Sequence, residues 1–184
     1  MIRRKLLIAT AIIASVVVTA CSDMTAPKKL VPGGLPAATI LASQSGPAIL
    51  VATINGGGTA NMDDGMGTTH WGAGVKLFSD GSASGEFDCV DQHGDAQGYP
   101  GNIWGQVTSW SNEGTDAEPI IVLHVTGKFL RIPGGPPFPV DVSFTVTIQK
   151  FGGAGVGHWT LTNAKGRIVC FETLTSGQIV IRWA

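Results

Sequence analysis

Residues 138–151 read FPVDVSFTVTIQKF, and their alternation decides the fold. Val140, Val142, Phe144, Val146 and Ile148 take every second place, with Asp141, Ser143, Thr145, Thr147 and Gln149 between them. A period of two places one set on a dry face and the other on a wet one, which is the signature of a half-buried β-strand. The preceding stretch, PIIVLHVTGKFLRI at 119–132, repeats the pattern with Ile121, Leu123, Val125 and Phe129 inward and His124, Thr126 and Lys128 outward. In HWGAGVKLF at 70–78, Trp71, Ala73, Val75 and Leu77 go in, leaving His70 and Lys76 outside.

Further segments complete about nine strands: AILVATING (48–56), SASGEFDCV (82–90), NIWGQVTSW (102–110), GHWTLT (157–162), GRIVCFETL (166–174) and GQIVIRW (177–183). No stretch beyond the leader shows a helical stripe. The connectors are hairpin chemistry: SDGSASG at 79–85 puts Asp-Gly where positive φ is needed, and NAKG (163–166), TSG (175–177) and GGAG (152–155) read alike. Consecutive strands are therefore expected to be antiparallel neighbours. Exposed sheet edges invite aggregation, so the expected architecture is all-β: a single antiparallel meander barrel, or a flattened barrel or sandwich, of about 8–9 strands.

Composition agrees. The chain has 26 glycines among 184 residues and only 14% charged residues, which suits strands and tight turns. Its leader holds three of the 12 basic residues, leaving nine against 13 acidic ones. That balance argues against a nucleic-acid partner.

The N-terminus gives an address. Arg3, Arg4 and Lys5 precede the apolar run LLIATAIIASVVV, too short for a comfortable membrane span, and VTAC follows at 18–21. This order resembles the signal peptide and lipobox of bacterial lipoproteins. The resemblance implies acylation of Cys21, palmitate among its chains, and cleavage just before it. Several acyl chains hold a protein stably on a bilayer. Ser22 rather than Asp follows the cysteine, which in those families favours the outer membrane over the inner. The domains expected are thus a signal helix at 1–20, a lipid-anchored flexible tether rich in Pro, Gly and Ser at 21–46, and the β-domain at 47–184. The bilayer is the first expected partner, on a periplasmic or surface face.

With Cys21 lipidated, Cys89 and Cys170 remain, and an oxidising periplasm favours one disulfide between them. NGGGTA at 55–60, the hairpin GSASGEFDCVDQHG at 81–94 and GQVTSW at 105–110 resemble a class of secreted bacterial glycine-rich β-domains of unassigned function. The resemblance covers about half the mature chain and implies a compact antiparallel domain; it brings no catalytic residues to carry over.

The densest reactive stretch is DCVDQHGD at 88–95. Asp91, His93 and Asp95, with Asp63 and Asp64, are the candidate ligands of a hard cation, but their spacing matches neither the Asp-rich calcium loop nor a zinc helix. Solvated Asx turns are the plainer reading. His70, His124 and His158 lie on polar strand faces and would form a ligand set only if their strands adjoined. No Gly-x-Ser-x-Gly elbow, phosphate-cradling loop or His-Glu-x-x-His helix is present, and no cofactor is implied.

In NIWGQVTSW, regular alternation would place Trp104, Gln106 and Trp110 on one wet face near Tyr99. Such a face suits stacking of a sugar or another flat ligand. The leading expectation is a non-catalytic structural or interaction module at the cell envelope, its partner an envelope protein. The alternatives are a calycin-like barrel for a small ligand or carbohydrate and, behind it, a metal-dependent enzyme around Asp88 to Asp95.

Overall fold

A computed structural model describes residues 46–92, 101–132 and 138–184. The leader, the lipobox and nearly all of the tether lie outside these residues. The described chain is all-β, with nine strands: β1 (Leu50–Met62), β2 (Thr68–Phe78), β3 (Ala83–Asp91), β4 (Gly101–Asn112), β5 (Ile121–Arg131), β6 (Val140–Lys150), β7 (Gly152–Gly153), β8 (His158–Asn163) and β9 (Ile168–Trp183). Each long strand pairs antiparallel with the next, in the order β1-β2-β3-β4-β5-β6-β8-β9. The last pairs back onto the first, with Ile54 opposite Ile181. The result is a closed eight-stranded meander barrel, and closure removes the sheet edges. Short β7 adds to β9 at Ile179 and Gln178, on the flank that β8 occupies further along.

The alternation that predicts the strands also builds the core. Phe144, Val146 and Ile148 of β6 are buried, as are Ile121, Leu123 and Val125 of β5 and Trp71, Val75 and Leu77 of β2. An eight-stranded barrel leaves an interior that side chains can just fill, and aromatics from four strands fill its middle. Phe87 meets Trp159 edge-on at 5.5 Å between ring centroids and Phe144 at 6.1 Å, while Trp71 lies 6.1 Å from Trp159. The centre is thus a packed core rather than an open lumen.

Two features depart from the expected strands. GRIVCFETL and GQIVIRW are one strand, β9, rather than two strands joined by a TSG hairpin. Opposite them, Thr59 pairs with Ser176 and Ala60 with Leu174, so the extra residue, Thr175, is absorbed as a bulge that bends the strand without reversing it. Gly177 adopts φ +80° there, facing Gly58 at φ +153°. A Cβ on Gly177 would lie 1.9 Å from the Gly57 carbonyl oxygen, and one on Gly58 would lie 2.2 Å from that of Ser176. The glycines of NGGGTA thus allow two backbones to meet where β9 bends.

The second departure is in β4, where the register shifts between Val107 and Ser109. The extra residue turns Trp110 to the side opposite Trp104. Trp110 packs against the core and its indole Nε1 donates to the Phe78 carbonyl oxygen at 2.8 Å.

Candidate functional site

Hairpin connectivity gathers the C-terminal ends of β3, β5 and β8 and the N-terminal ends of β4, β6 and β9 at one end of the barrel, away from Trp110. A cavity of about 740 Å³ opens there. Its buried lining is Gly101 and the side chains of Cys89, Phe144, Leu161 and Cys170, and half-buried Ile103, Phe129, Val142 and Val169 form the walls. Charged and polar groups complete the rim: Asp91, Arg131, Asp141, Asn163, Lys165 and Arg167. Apolar walls with a few polar groups, in a volume between about 300 and 1,000 Å³, are what small-ligand sites present. A depression of similar volume, about 730 Å³, lies on the outer wall over Gly56, Gly57 and Gly177 with Arg182 beside it. Glycine backbone floors it and its side chains, Asn55, Gln178, Val180 and Arg182, are mostly polar, so it lacks the apolar walls of the mouth.

The turn between β8 and β9 is fixed by one side chain. Asn163 Oδ1 accepts from the backbone N–H groups of Lys165 at 3.0 Å and Arg167 at 3.1 Å, while Gly166, at φ +75°, donates to the Asn163 carbonyl at 2.9 Å. This Asx-type turn sets both cations on the rim. On the neighbouring β5 and β6, Lys128 Nζ meets Asp141 Oδ1 at 2.7 Å in an exposed ion pair.

Next to the cavity floor lies a buried polar cluster. Glu172 is fully buried, paired on β8 with Trp159 and on β1 with Met62. Its Oε2 accepts a hydrogen bond from the hydroxyl of Thr69, also fully buried, and the Cys170 thiol lies within hydrogen-bond reach. Burial pushes the Glu172 carboxyl up to about 7; the bonds from Thr69 and Cys170 oppose this, and the charges of Asp91 and Asp63 add to it. Cys170 also contacts Cys89 across the barrel, from β9 to β3. The contact with Cys89, then burial, drives the Cys170 thiol far above the usual range. For Cys89 the Cys170 hydrogen bond favours the thiolate, but burial and the carboxyls of Glu172 and Asp91 outweigh it and the thiol is pushed up. Neither is a poised nucleophile.

Cys89 and Cys170 therefore meet, as expected of a pair, but they stand as two thiols and not as the expected disulfide. Trp104 and Gln106 do share the outer wall; Gln106 Nε2 donates to Glu86 Oε1 at 2.7 Å. Trp110 does not join them, because of the β4 bulge, so the expected aromatic platform is divided. Tyr99, His93 and Asp95 lie outside the described residues, while Asp91 closes β3 at the cavity rim. Behind it on the outer wall, burial and then the neighbouring Glu86 push the Asp88 carboxyl up. His70, His124 and His158 sit on β2, β5 and β8, no two of which are adjacent. Among the described residues no three His, Cys, Asp or Glu side chains are grouped to hold a metal ion.

Asp63 instead ties the β1–β2 turn to β8 and β9. Its N–H donates to the Phe171 carbonyl at 2.8 Å, Oδ1 accepts from Thr173 Oγ1 at 2.8 Å, and Oδ2 lies 3.1 Å from His158 Nε2. The other ring nitrogen of His158 is buried, and its ring stands edge-on to Phe171 at 4.5 Å. The carboxylate thus links two strands and the imidazole offers no nitrogen to a substrate.

Glu172 and the rim cations are the residues that sequence reading misses. A signal for Glu172 exists, since it follows Cys170 by two positions and must share its face. Lys165 and Arg167 carry none, because a turn does not declare what it overhangs. Compared with known proteins, the chain matches no family model, no curated protein and no solved structure.

Proposed function

We propose that this chain is a lipid-anchored envelope protein whose barrel binds a small, largely apolar ligand in its mouth, in the calycin-like manner. The observation that supports this reading is the cavity of about 740 Å³, with apolar walls and charged residues at its rim. Bare apolar walls exposed to water are unfavourable by about 25 cal/mol per Å², and covering them is a gain offset in part by the cost of immobilising the ligand. Anchoring through acylated Cys21 would keep the barrel near the bilayer, where apolar ligands concentrate. Cys89 and Cys170, already in contact, would close to a disulfide on export to an oxidising compartment.

Among the described residues, the mouth groups no set with the composition of a catalytic centre. Its two thiols are held protonated, and Glu172 faces Thr69 and Cys170 from full burial. The test is titration of the purified chain with 1-anilinonaphthalene-8-sulfonate, which brightens in apolar pockets. Saturable one-to-one binding in the wild type, lost in Val142→Trp with its fold retained by circular dichroism, is the expected result. Failure of the wild type to bind any apolar probe would return the domain to the interaction-module reading.

A further inference from the structure

We infer that the mouth selects an amphiphile carrying one anionic headgroup, its tail against the apolar walls and its head at Lys165. The inference rests on the reading of the mouth as a ligand cavity and adds the class of ligand. Three observations support it.

The first is charge. The lining holds three cations, Arg131, Lys165 and Arg167, and two anions, Asp91 and Asp141, and a fourth cation, Lys128, pairs with Asp141 at 2.7 Å. The described rim is therefore net positive on a chain whose formal charge is −1. An anionic head would be drawn to it, and a cationic one repelled.

The second is placement. The backbone of Lys165 is held by Asn163 Oδ1 at 3.0 Å, so its position over the opening is set by the turn, although the side chain is exposed. A side chain rooted in a fixed turn leaves less to immobilise than one on a mobile loop. The ammonium supplies three donors to a carboxylate, sulfate or phosphate monoester, and Arg167, whose N–H shares the Asn163 acceptor at 3.1 Å, stands beside it.

The third is polarity below the rim. Ile103, Phe129, Val142, Phe144, Leu161 and Val169 offer no hydrogen-bonding side-chain atom, and the two thiols are weak partners. A ligand polar throughout would lose its hydration there without replacement. A chain-like apolar body under one charged head is the chemistry that fits both zones.

Displacement of bound 1-anilinonaphthalene-8-sulfonate by three ligands of equal chain length tests this: dodecanoate, dodecanol and dodecyltrimethylammonium, each below its micelle concentration. Dodecanoate is expected to bind about tenfold more tightly than dodecanol, the worth of one charge-assisted hydrogen bond, and more tightly still than the cation. Lys165→Glu is expected to abolish that preference while dodecanol affinity stays within about twofold. Lys150→Glu, the same charge change at the far end of the barrel, is expected to leave the preference intact. Equal binding of the three ligands to the wild type, or a preference that survives Lys165→Glu, overturns the headgroup assignment while the cavity reading stands. If the dye itself does not bind, both fall together.

Discussion

Replacing Glu172 by Gln is expected to flatten the pH dependence of stability, with a size that follows from the environment of the carboxyl. Glu172 is fully buried, its Oε2 bonded to Thr69, and Oε1 is buried with no partner among the described residues. The titratable groups facing it are Cys170, Asp91 and Asp63, with Cys89 beyond Cys170. In the unfolded chain the carboxyl titrates near its ordinary 4.5, and in the barrel at about 7. Below 4.5 both states carry the proton, and the group favours neither. Between 4.5 and 7 only the folded state keeps it, so stability falls as pH rises, by about 1.4 kcal/mol per unit. Above 7 the loss levels off at about 3 kcal/mol, on the order of 10 °C in Tm for a domain of this size. Glu172→Gln keeps an acceptor for Thr69 and has no proton to lose. Urea unfolding of wild type and variant from pH 5 to pH 8.5 isolates the effect, because every other titrating group is common to both. The two proteins are expected to lie within about 1 kcal/mol at pH 5, with the variant about 3 kcal/mol more stable at pH 8.5. Parallel curves would show that the carboxyl is not buried as described.

Other perturbations test the frame. Gly177→Ala puts a Cβ 1.9 Å from the Gly57 carbonyl oxygen at a positive φ; a loss of at least about 2 kcal/mol in denaturant unfolding is expected. Trp110→Ala removes core packing and the bond to Phe78, so it is expected to cost about 3 kcal/mol, whereas Trp104→Ala on the outer wall should cost under about 1 kcal/mol by the same measurement. Mass spectrometry of the chain expressed into an oxidising periplasm should find Cys89 and Cys170 joined, two hydrogens lighter, and reduction should lower stability by about 4 kcal/mol for a loop of this length. Free thiols that alkylate only on unfolding would instead match the reduced pair in the structure.

The barrel is legible in the sequence because its strands bury one face each, and a period of two survives in β2, β5 and β6 wherever apolar and polar residues take turns. Reading fails where a single residue breaks the period. The bulge at Val107 to Ser109 reverses Trp110, and nothing in NIWGQVTSW marks it. Likewise TSG has hairpin chemistry, but whether a Gly at positive φ reverses a strand or bends it depends on the partner backbone, here Gly57 and Gly58. The contact of Cys89 with Cys170 follows from arithmetic and burial, yet the cavity above them depends on which strand ends closure brings together. Lys165 was readable as a turn residue and only barrel closure makes it a rim residue.

The most direct measurement of what the mouth does is amide chemical-shift mapping of the isotopically labelled chain during titration with dodecanoate. Shifts confined to the cavity lining, at Asp91, Ile103, Val142, Asn163, Lys165 and Val169, that saturate at one equivalent are the expected result. Shifts gathered instead on the outer wall at Asn55, Gly57, Gln178 and Arg182, or none at all, would contradict a ligand site in the barrel mouth.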